Sequence, residues 1–212
     1  MSQITDLSVQ KRNKDRVNIE LDGEYAFSLY LETAVKYGLK KGKDLSNEEI
    51  QTYKKEDGRK YAFEAALNYL SYKARTTKEM VDYLKKKEMD EESIGYAIEK
   101  LEEYKYLNDE QYAEDYVKYY QSNPRYGAKM LEYRLIQKGI SASIAKRVCE
   151  TFREDEEGRV IIELIRKARK KYAGLEPIKQ RDKIYRLLIS KGFDYDKIKS
   201  IWRKVLEEDI EE

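Results

Sequence analysis

The chain has 212 residues, 40% of them charged, yet its formal net charge is only +2, so overall charge names no partner. It contains no histidine and one cysteine, which excludes an intramolecular disulfide, a His-containing zinc site, a Ser-His-Asp triad and a Cys-His dyad. No run of about 18 apolar residues could span a membrane, and the start lacks the basic-then-apolar pattern of a secretory signal, so a cytoplasmic protein is expected.

Residues 4–29 differ in kind from the rest of the chain. Ile4, Leu7 and Val9 alternate loosely; Val17, Ile19 and Leu21 alternate strictly; then Asp22-Gly23 precedes Tyr25, Phe27 and Leu29. Asp-Gly between alternating segments signals a hairpin, because both turn residues must accept positive φ. The spacing predicts a small antiparallel sheet of two or three strands, with a short helix at 30–37 closed by Gly38. Together they make an N-terminal element over residues 1–45, which needs the helices after it to cover its apolar face and reads as accessory to them. After the basic loop Lys40-Lys41-Gly42-Lys43, Ser46 and Glu49 have the spacing of a capping box and open a helix. Gly58 weakens its middle, and Ala62, Phe63, Ala66 and Leu67 continue it.

From there the chain repeats itself. Leu84, Leu135 and Leu188 align at offsets of 51 and 53 residues, with Met80, Leu131 and Ile184 four before and Met89, Ile140 and Phe193 five after. The apolar sets after them are Ile94/Ala97/Ile98/Leu101, Ala145/Val148/Cys149/Phe152 and Ile198/Ile201/Trp202/Val205. Each copy reads as a helix, a corner at Lys87-Glu88, Lys138-Gly139 or Lys191-Gly192, and a second helix opened by Asp90, Ser141 or Asp194. With an earlier helix in each copy, the units are repeat one (46–107), repeat two (108–153) and repeat three (154–206), then an acidic tail (207–212). Asn108 or Asp109 caps the start of repeat two, and Asn123-Pro124 breaks its first helix. The fold class is mainly α: three three-helix repeats in an elongated array, behind the small sheet.

Three features bear on function. Cys149 falls at an inner-face position and reads as a packing thiol, with a reactive cysteine as the alternative. The 20 tyrosines include Tyr112, Tyr116 and Tyr120 on one helix face, suited to edge packing or to base stacking. Between residues 158 and 204, fifteen Lys/Arg stand against five acids. Val160, Ile161, Leu164, Ile165, Ala168 and Tyr172 define a buried side of one helix there, leaving Arg159, Arg166, Lys167, Arg169 and Lys170 on its sides and outer face. That patch is either a solvated surface or a seat for a phosphate backbone or an acidic groove. No Asp/Glu cluster has metal-ligand spacing, and no cofactor is expected.

Several segments carry a resemblance. Leu-Asn-Asp-Glu-Gln-Tyr-Ala at 107–113, Arg125-Tyr126-Gly127 and Leu-Ile-Gln-Lys-Gly-Ile at 135–140 resemble the RecX family, regulators of the recombinase RecA; so do Ala66-Leu67, Tyr69-Leu70, Arg75-Thr76 and Glu79-Met80 before them. Asp22 to Phe27 and Gly38 to Gly42 resemble the extended form found in Gram-positive bacteria. The resemblance implies a curved repeat array, acting as a monomer in recombination and repair, that lies in the groove of the RecA–DNA filament. There it would bridge protomers, block strand exchange, slow ATP turnover and favour filament loss. It also implies no enzymatic activity and no cofactor, and allows direct contact with single- and double-stranded DNA; the alternative is a stand-alone DNA-binding module. The candidate RecA or DNA contacts are Arg75, Arg125, Lys129, Arg134 and Lys138, with Arg166, Lys167, Arg169, Lys170 and Lys171 of the basic helix. The sequence departs from the family at Ala128, where proline is frequent, and at Glu88, in the place of a corner glycine.

Overall fold

Alternation and the Asp-Gly turn build the sheet as the pattern predicts. The computed structural model describes residues 1–122, 125–150 and 154–211, and within it β1 (Ser2–Val9) pairs antiparallel with β2 (Arg16–Leu21), which pairs with β3 (Glu24–Tyr30). Asp22 (φ 53°) and Gly23 (φ 88°) both take the left-handed conformation that the two-residue turn requires. Helix α1 (Leu31–Lys36) comes next, and then β4 (Asp44–Leu45) adds a fourth strand, giving the order β3-β2-β1-β4. The expected count of two or three strands is thus one short, because a two-residue strand is too brief for alternation to show.

Ser46 and Glu49 close the capping box in both directions: Glu49 N–H donates to Ser46 Oγ at 3.1 Å, and Ser46 N–H donates to Glu49 Oε2 at 2.8 Å. They start the 24-residue helix α2 (Asn47–Leu70). Its first half gives Ile50 and Tyr53 to the sheet's core, among Ile4, Ile19, Phe27, Leu29 and Leu45. Its second half gives Ala62 and Ala66 to the core of α3 (Thr77–Lys86) and α4 (Glu91–Glu103), with Met80, Leu84, Ile94, Ala97 and Leu101. Between the halves lies Asp57, 4% exposed, which accepts hydrogen bonds from the Arg16 guanidinium (2.8 Å) and the Tyr30 backbone N–H (2.5 Å). One helix and one ion pair therefore join the sheet to the first repeat in a single unit, Met1–Arg75 with Met80–Leu107. Gly58, next in the chain, leaves room for α4, since a Cβ there would stand 2.8 Å from Ser93 Oγ.

Two further repeats complete the chain: α5 (Asp109–Ser122), α6 (Ala128–Gln137) and α7 (Ala142–Cys149), then α8 (Glu154–Lys171), α9 (Pro177–Ser190) and α10 (Tyr195–Glu211). The described residues thus hold ten helices and one four-stranded antiparallel sheet. The chain divides into two units, Met1–Arg75 with Met80–Leu107, and Thr76–Glu79 with Asn108–Glu212. The aligned positions are core positions. Met80, Leu84, Leu131, Leu135, Ile184 and Leu188 are fully buried, Ile140 and Phe193 nearly so, while Met89 is half-buried. The caps also hold: Asp90, Ser141 and Asp194 side chains accept from backbone N–H groups of the helices they open, and Asn108, not Asp109, caps α5. Phe152, the Asn123-Pro124 break and Glu212 lie outside the described residues, as do the side chains of 154–156 and 208–211. Among the described residues no helix is long and apolar enough to cross a membrane.

In the second unit each glycine corner is seated on the first turn of a preceding helix. The corner carbonyl of Lys138 accepts from Thr76 Oγ1 (2.7 Å), Lys78 Nζ donates to Gln137 O (3.2 Å), and the N–H of Thr77 donates to Asp109 Oδ1 (2.7 Å). One repeat on, the carbonyl of Lys191 accepts from Gly127 N–H (2.9 Å), and the N–H of Ala128 reaches Glu157 Oε1 (3.4 Å). Gly139 (φ 92°) and Gly192 (φ 86°) are needed twice over, since a Cβ at either would overlap Lys78 or the Met130 backbone. Glu88 holds the same left-handed conformation (φ 58°) at an exposed corner, so its departure from glycine costs strain but no overlap.

Two outcomes test this account. Asp57→Ala leaves the Arg16 guanidinium buried without its partner and is expected to lower stability by about 3–5 kcal/mol, read from urea denaturation; an unchanged midpoint would show the ion pair to be incidental. Gly192→Ala combines left-handed strain of about 1–2 kcal/mol with overpacking of about 1–3 kcal/mol. Glu88→Gly, by contrast, should leave stability unchanged or raise it by at most about 1 kcal/mol. Equal melting temperatures for the two corner variants would remove the close-approach argument.

Candidate nucleic-acid and partner interface

Helix α8 turns Val160, Ile161, Ile165 and Ala168 into the third repeat's core with Leu188, Phe193, Ile198 and Trp202. Its opposite side carries Arg159, Ile162, Glu163, Arg166, Lys167 and Lys170, which line one shallow depression of about 290 Å³. These positions obey the i, i+3, i+4, i+7 rule of a single helix face. The four cations are exposed; Lys167 Nζ lies 2.5 Å from Glu163 Oε1, an exposed pair that water and salt screen. The face is chemically suited to successive phosphates, with Ile162 as an apolar contact between them. Of the predicted cations, Arg166, Lys167 and Lys170 come together here and Arg159 joins them. Arg169 and Lys171 do not line the depression: Arg169 is half-buried and its carbonyl accepts from Gln180 Nε2 (3.3 Å), and Lys171 Nζ sits 5.7 Å from the Tyr172 ring centroid.

The repeat-two candidates are engaged differently. Lys138 Nζ is 2.6 Å from Glu79 Oε1 in a partly buried pair. Burial opposes its charged form, but the hydrogen bonds to Glu79 and Tyr112 more than offset this and leave its pKa raised. Lys129 Nζ is 2.8 Å from Asp194 Oδ2, which raises the lysine pKa and lowers that of the carboxylate. Lys138 thus fastens its corner joint, whereas the Lys129–Asp194 pair is exposed on both sides and screened much as Lys167–Glu163 is. Arg134 lies over the Tyr126 ring, 3.7 Å from its centroid, and hydrogen bonds to Tyr126 and Tyr116. Tyr112, Tyr116, Tyr120 and Tyr126 form a continuous row with centroids 5.0–6.3 Å apart, half-buried against the repeat-two core, as edge packing predicts. Lys191 approaches the same Tyr126 ring at 5.2 Å and donates to the Arg125 carbonyl (3.3 Å). Lys191 is absent from the sequence-predicted contacts, though its alignment with Lys138 marks it as a corner lysine. Arg125 is exposed. Arg75 belongs to the first unit, where it covers Tyr69 at 4.0 Å, and Tyr69 stacks on Tyr83 at 3.9 Å and 6°.

Cys149 is buried, and desolvation pushes its thiol up to about 11, so it is neither a thiolate nor a nucleophile near neutral pH. Among the described residues no group of three or more Cys, Asp or Glu side chains is placed to hold a metal ion.

Comparison with known proteins places the whole chain. Residues 2–46 match the regulatory protein RecX N-terminal domain, and residues 62–101, 108–148 and 155–202 match the first, second and third three-helix domains of RecX. The regulatory protein RecX of Bacillus subtilis (strain 168) is 36% identical over 212 residues, covering 100% of this chain and 80% of that protein. That of Clostridium beijerinckii is 34% identical over 218 residues and covers 100% of both. A crystal structure of regulatory protein RecX superposes with a TM-score of 0.74 at 28% identity, covering 96% of this chain and 100% of the other. RecX from Lactobacillus salivarius gives 0.65 at 32% identity, covering 70% and 97%. With the sheet and all three helical repeats matched in order, this chain belongs to the RecX family of regulatory proteins.

Proposed function

We propose that this chain is a non-enzymatic regulator of RecA that binds, as a monomer, in the groove of the RecA–DNA filament, limiting ATP hydrolysis and strand exchange and promoting filament loss. The observation that carries the reading is the match of all four RecX domains, in order, across nearly the whole chain. The exposed cationic face of α8 supports it, because a groove that contains DNA offers phosphates to such a face. The same face favours a second reading, in which the chain binds DNA in its own right and restrains RecA by competing for it.

Salt separates the two. DNA affinity that rests on counterion release falls steeply with salt, by roughly 0.9 in the log–log slope for each duplex phosphate neutralised. A packed protein groove loses less. In the first reading, purified protein at sub-stoichiometric amounts lowers DNA-dependent ATP hydrolysis by RecA, hydrolyses nothing alone, and keeps its effect as salt rises; loss of inhibition in step with loss of DNA binding would favour the second.

Reversing Arg159, Arg166, Lys167 and Lys170 to glutamate is expected to leave helicity intact, lower the duplex salt slope by about 3 and weaken RecA inhibition. A folded quadruple variant that inhibits at the wild-type concentration would make the α8 face a solvated surface and leave Arg125 and Arg75 as the candidate contacts.

A further inference from the structure

The third repeat carries a second cationic depression, built on α9 and α10 and separate from the α8 face. It has a volume of about 330 Å³. Its α9 side presents Arg181, Tyr185 and Ile189 at four-residue spacing, with Arg186 beside them, and its α10 side presents Tyr195 and Lys199, also four apart. Arg181 is partly occupied by Asp182, at 3.0 Å. Among the described residues neither Arg186 nor Lys199 has an ion-pair partner. Two large apolar side chains stand open at this place: Tyr195 is 52% exposed and Ile189 47%.

The tyrosine is held, not loose. Tyr195 meets Tyr185 edge to face (5.9 Å, 78°), and Tyr185 meets the protein's one tryptophan, Trp202, in the same way (5.7 Å, 79°). Trp202 belongs to the buried core. A ring anchored to the core through two others, half open to solvent and flanked by unpaired cations, is what a base needs for stacking while its phosphates find charge. The α8 face has cations in a row and no aromatic ring, which suits a backbone whose bases are already stacked.

We infer that the α9/α10 depression is a single-stranded nucleic-acid site, in which Tyr195 stacks an unpaired base and Arg186 and Lys199 hold the phosphates on either side. Arg186 stands on the α9 wall and Lys199 on the α10 wall of the same depression as Tyr195, so a strand lying in it meets one cation from each helix. The proposal does not depend on RecA, and its test contains none.

The test titrates the full chain against labelled oligothymidine and against a duplex of equal length, by anisotropy. Tyr195→Ala is expected to weaken single-strand binding at least about fivefold and to leave duplex binding unchanged, while Tyr195→Phe retains wild-type affinity. Arg186→Ala combined with Lys199→Ala should lower the single-strand salt slope by about 1.4. Oligothymidine should also perturb the fluorescence of Trp202, two rings from the base, in the wild type and not in Tyr195→Ala. Single-strand affinity unaltered by both variants would overturn the assignment. So would equal losses for single strand and duplex. Displacement of oligothymidine by polyglutamate with no dependence on Tyr195 would also overturn it, and would mark the depression as a seat for an acidic peptide.

Discussion

The second unit depends on one recurring close approach, in which a left-handed glycine corner rests on the first turn of an earlier helix. A helix leaves N–H groups without partners at its start and carbonyls without partners at its end. At Gly127/Ala128 the next repeat supplies acceptors to two N–H groups, the Lys191 carbonyl and the Glu157 carboxylate. At Thr76/Thr77 the Asp109 carboxylate takes the Thr77 N–H, while the Lys138 carbonyl at the end of its own helix takes the Thr76 hydroxyl. The joint thereby satisfies groups that a side-chain cap would otherwise have to reach. Gly127 can serve as the N-cap of α6 with no side chain at all for this reason. Ala128 fits the same scheme, because a proline in its place would have no N–H to give to Glu157. Gly192 meets the Met130 backbone and Gly139 meets the stem of Lys78, and neither approach tolerates a Cβ, so these glycines are fixed by packing as much as by φ.

The first unit solves a different problem. A small sheet cannot bury enough apolar surface alone, and α2 gives it a cover by continuing, without a break, into the core of the helical hairpin beyond it. The cost is a charge at the boundary. Asp57 is nearly fully buried, and only because the Arg16 guanidinium and the Tyr30 N–H both converge on it is that burial tolerable. Arg16 is in turn flanked by the rings of Tyr30 and Tyr61, at 4.7 and 5.5 Å, so the pair is enclosed by aromatic surface.

The features legible in the sequence were those that a single period or a single turn could encode. The 51- and 53-residue offsets found the cores, because each repeat must bury the same helix faces, and Gly139, Gly192 and the Asp or Ser after each corner announced their caps. The fourth strand was not legible, since two residues have no period. Nor was the Arg16–Asp57 pair: its members lie 41 residues apart, and each looks like a solvated charge until the fold closes on it. The candidate cations divide on the same ground. Arg166, Lys167 and Lys170 share a helix face that periodicity alone can draw, whereas Lys129 and Lys138 spend their charge on carboxylates, Asp194 and Glu79, that only the joints bring near.

That division bears on how a chain of nearly zero net charge could act on a polyanion. Lys138 is paired with Glu79 at a joint, and the excess of ten cations between residues 158 and 204 is bracketed by nine acids, four at 154–157 and five at 207–212. The third repeat is left with an excess of positive charge expressed on two of its faces, one along α8 without aromatic rings and one between α9 and α10 with a tyrosine anchored through Trp202. Screening lengths of about 8 Å at physiological ionic strength make such local excess, and not the total of +2, the quantity that a neighbouring phosphate would sense. A protein so arranged stays near neutrality in bulk while its positive charge is gathered locally on the faces of the third repeat.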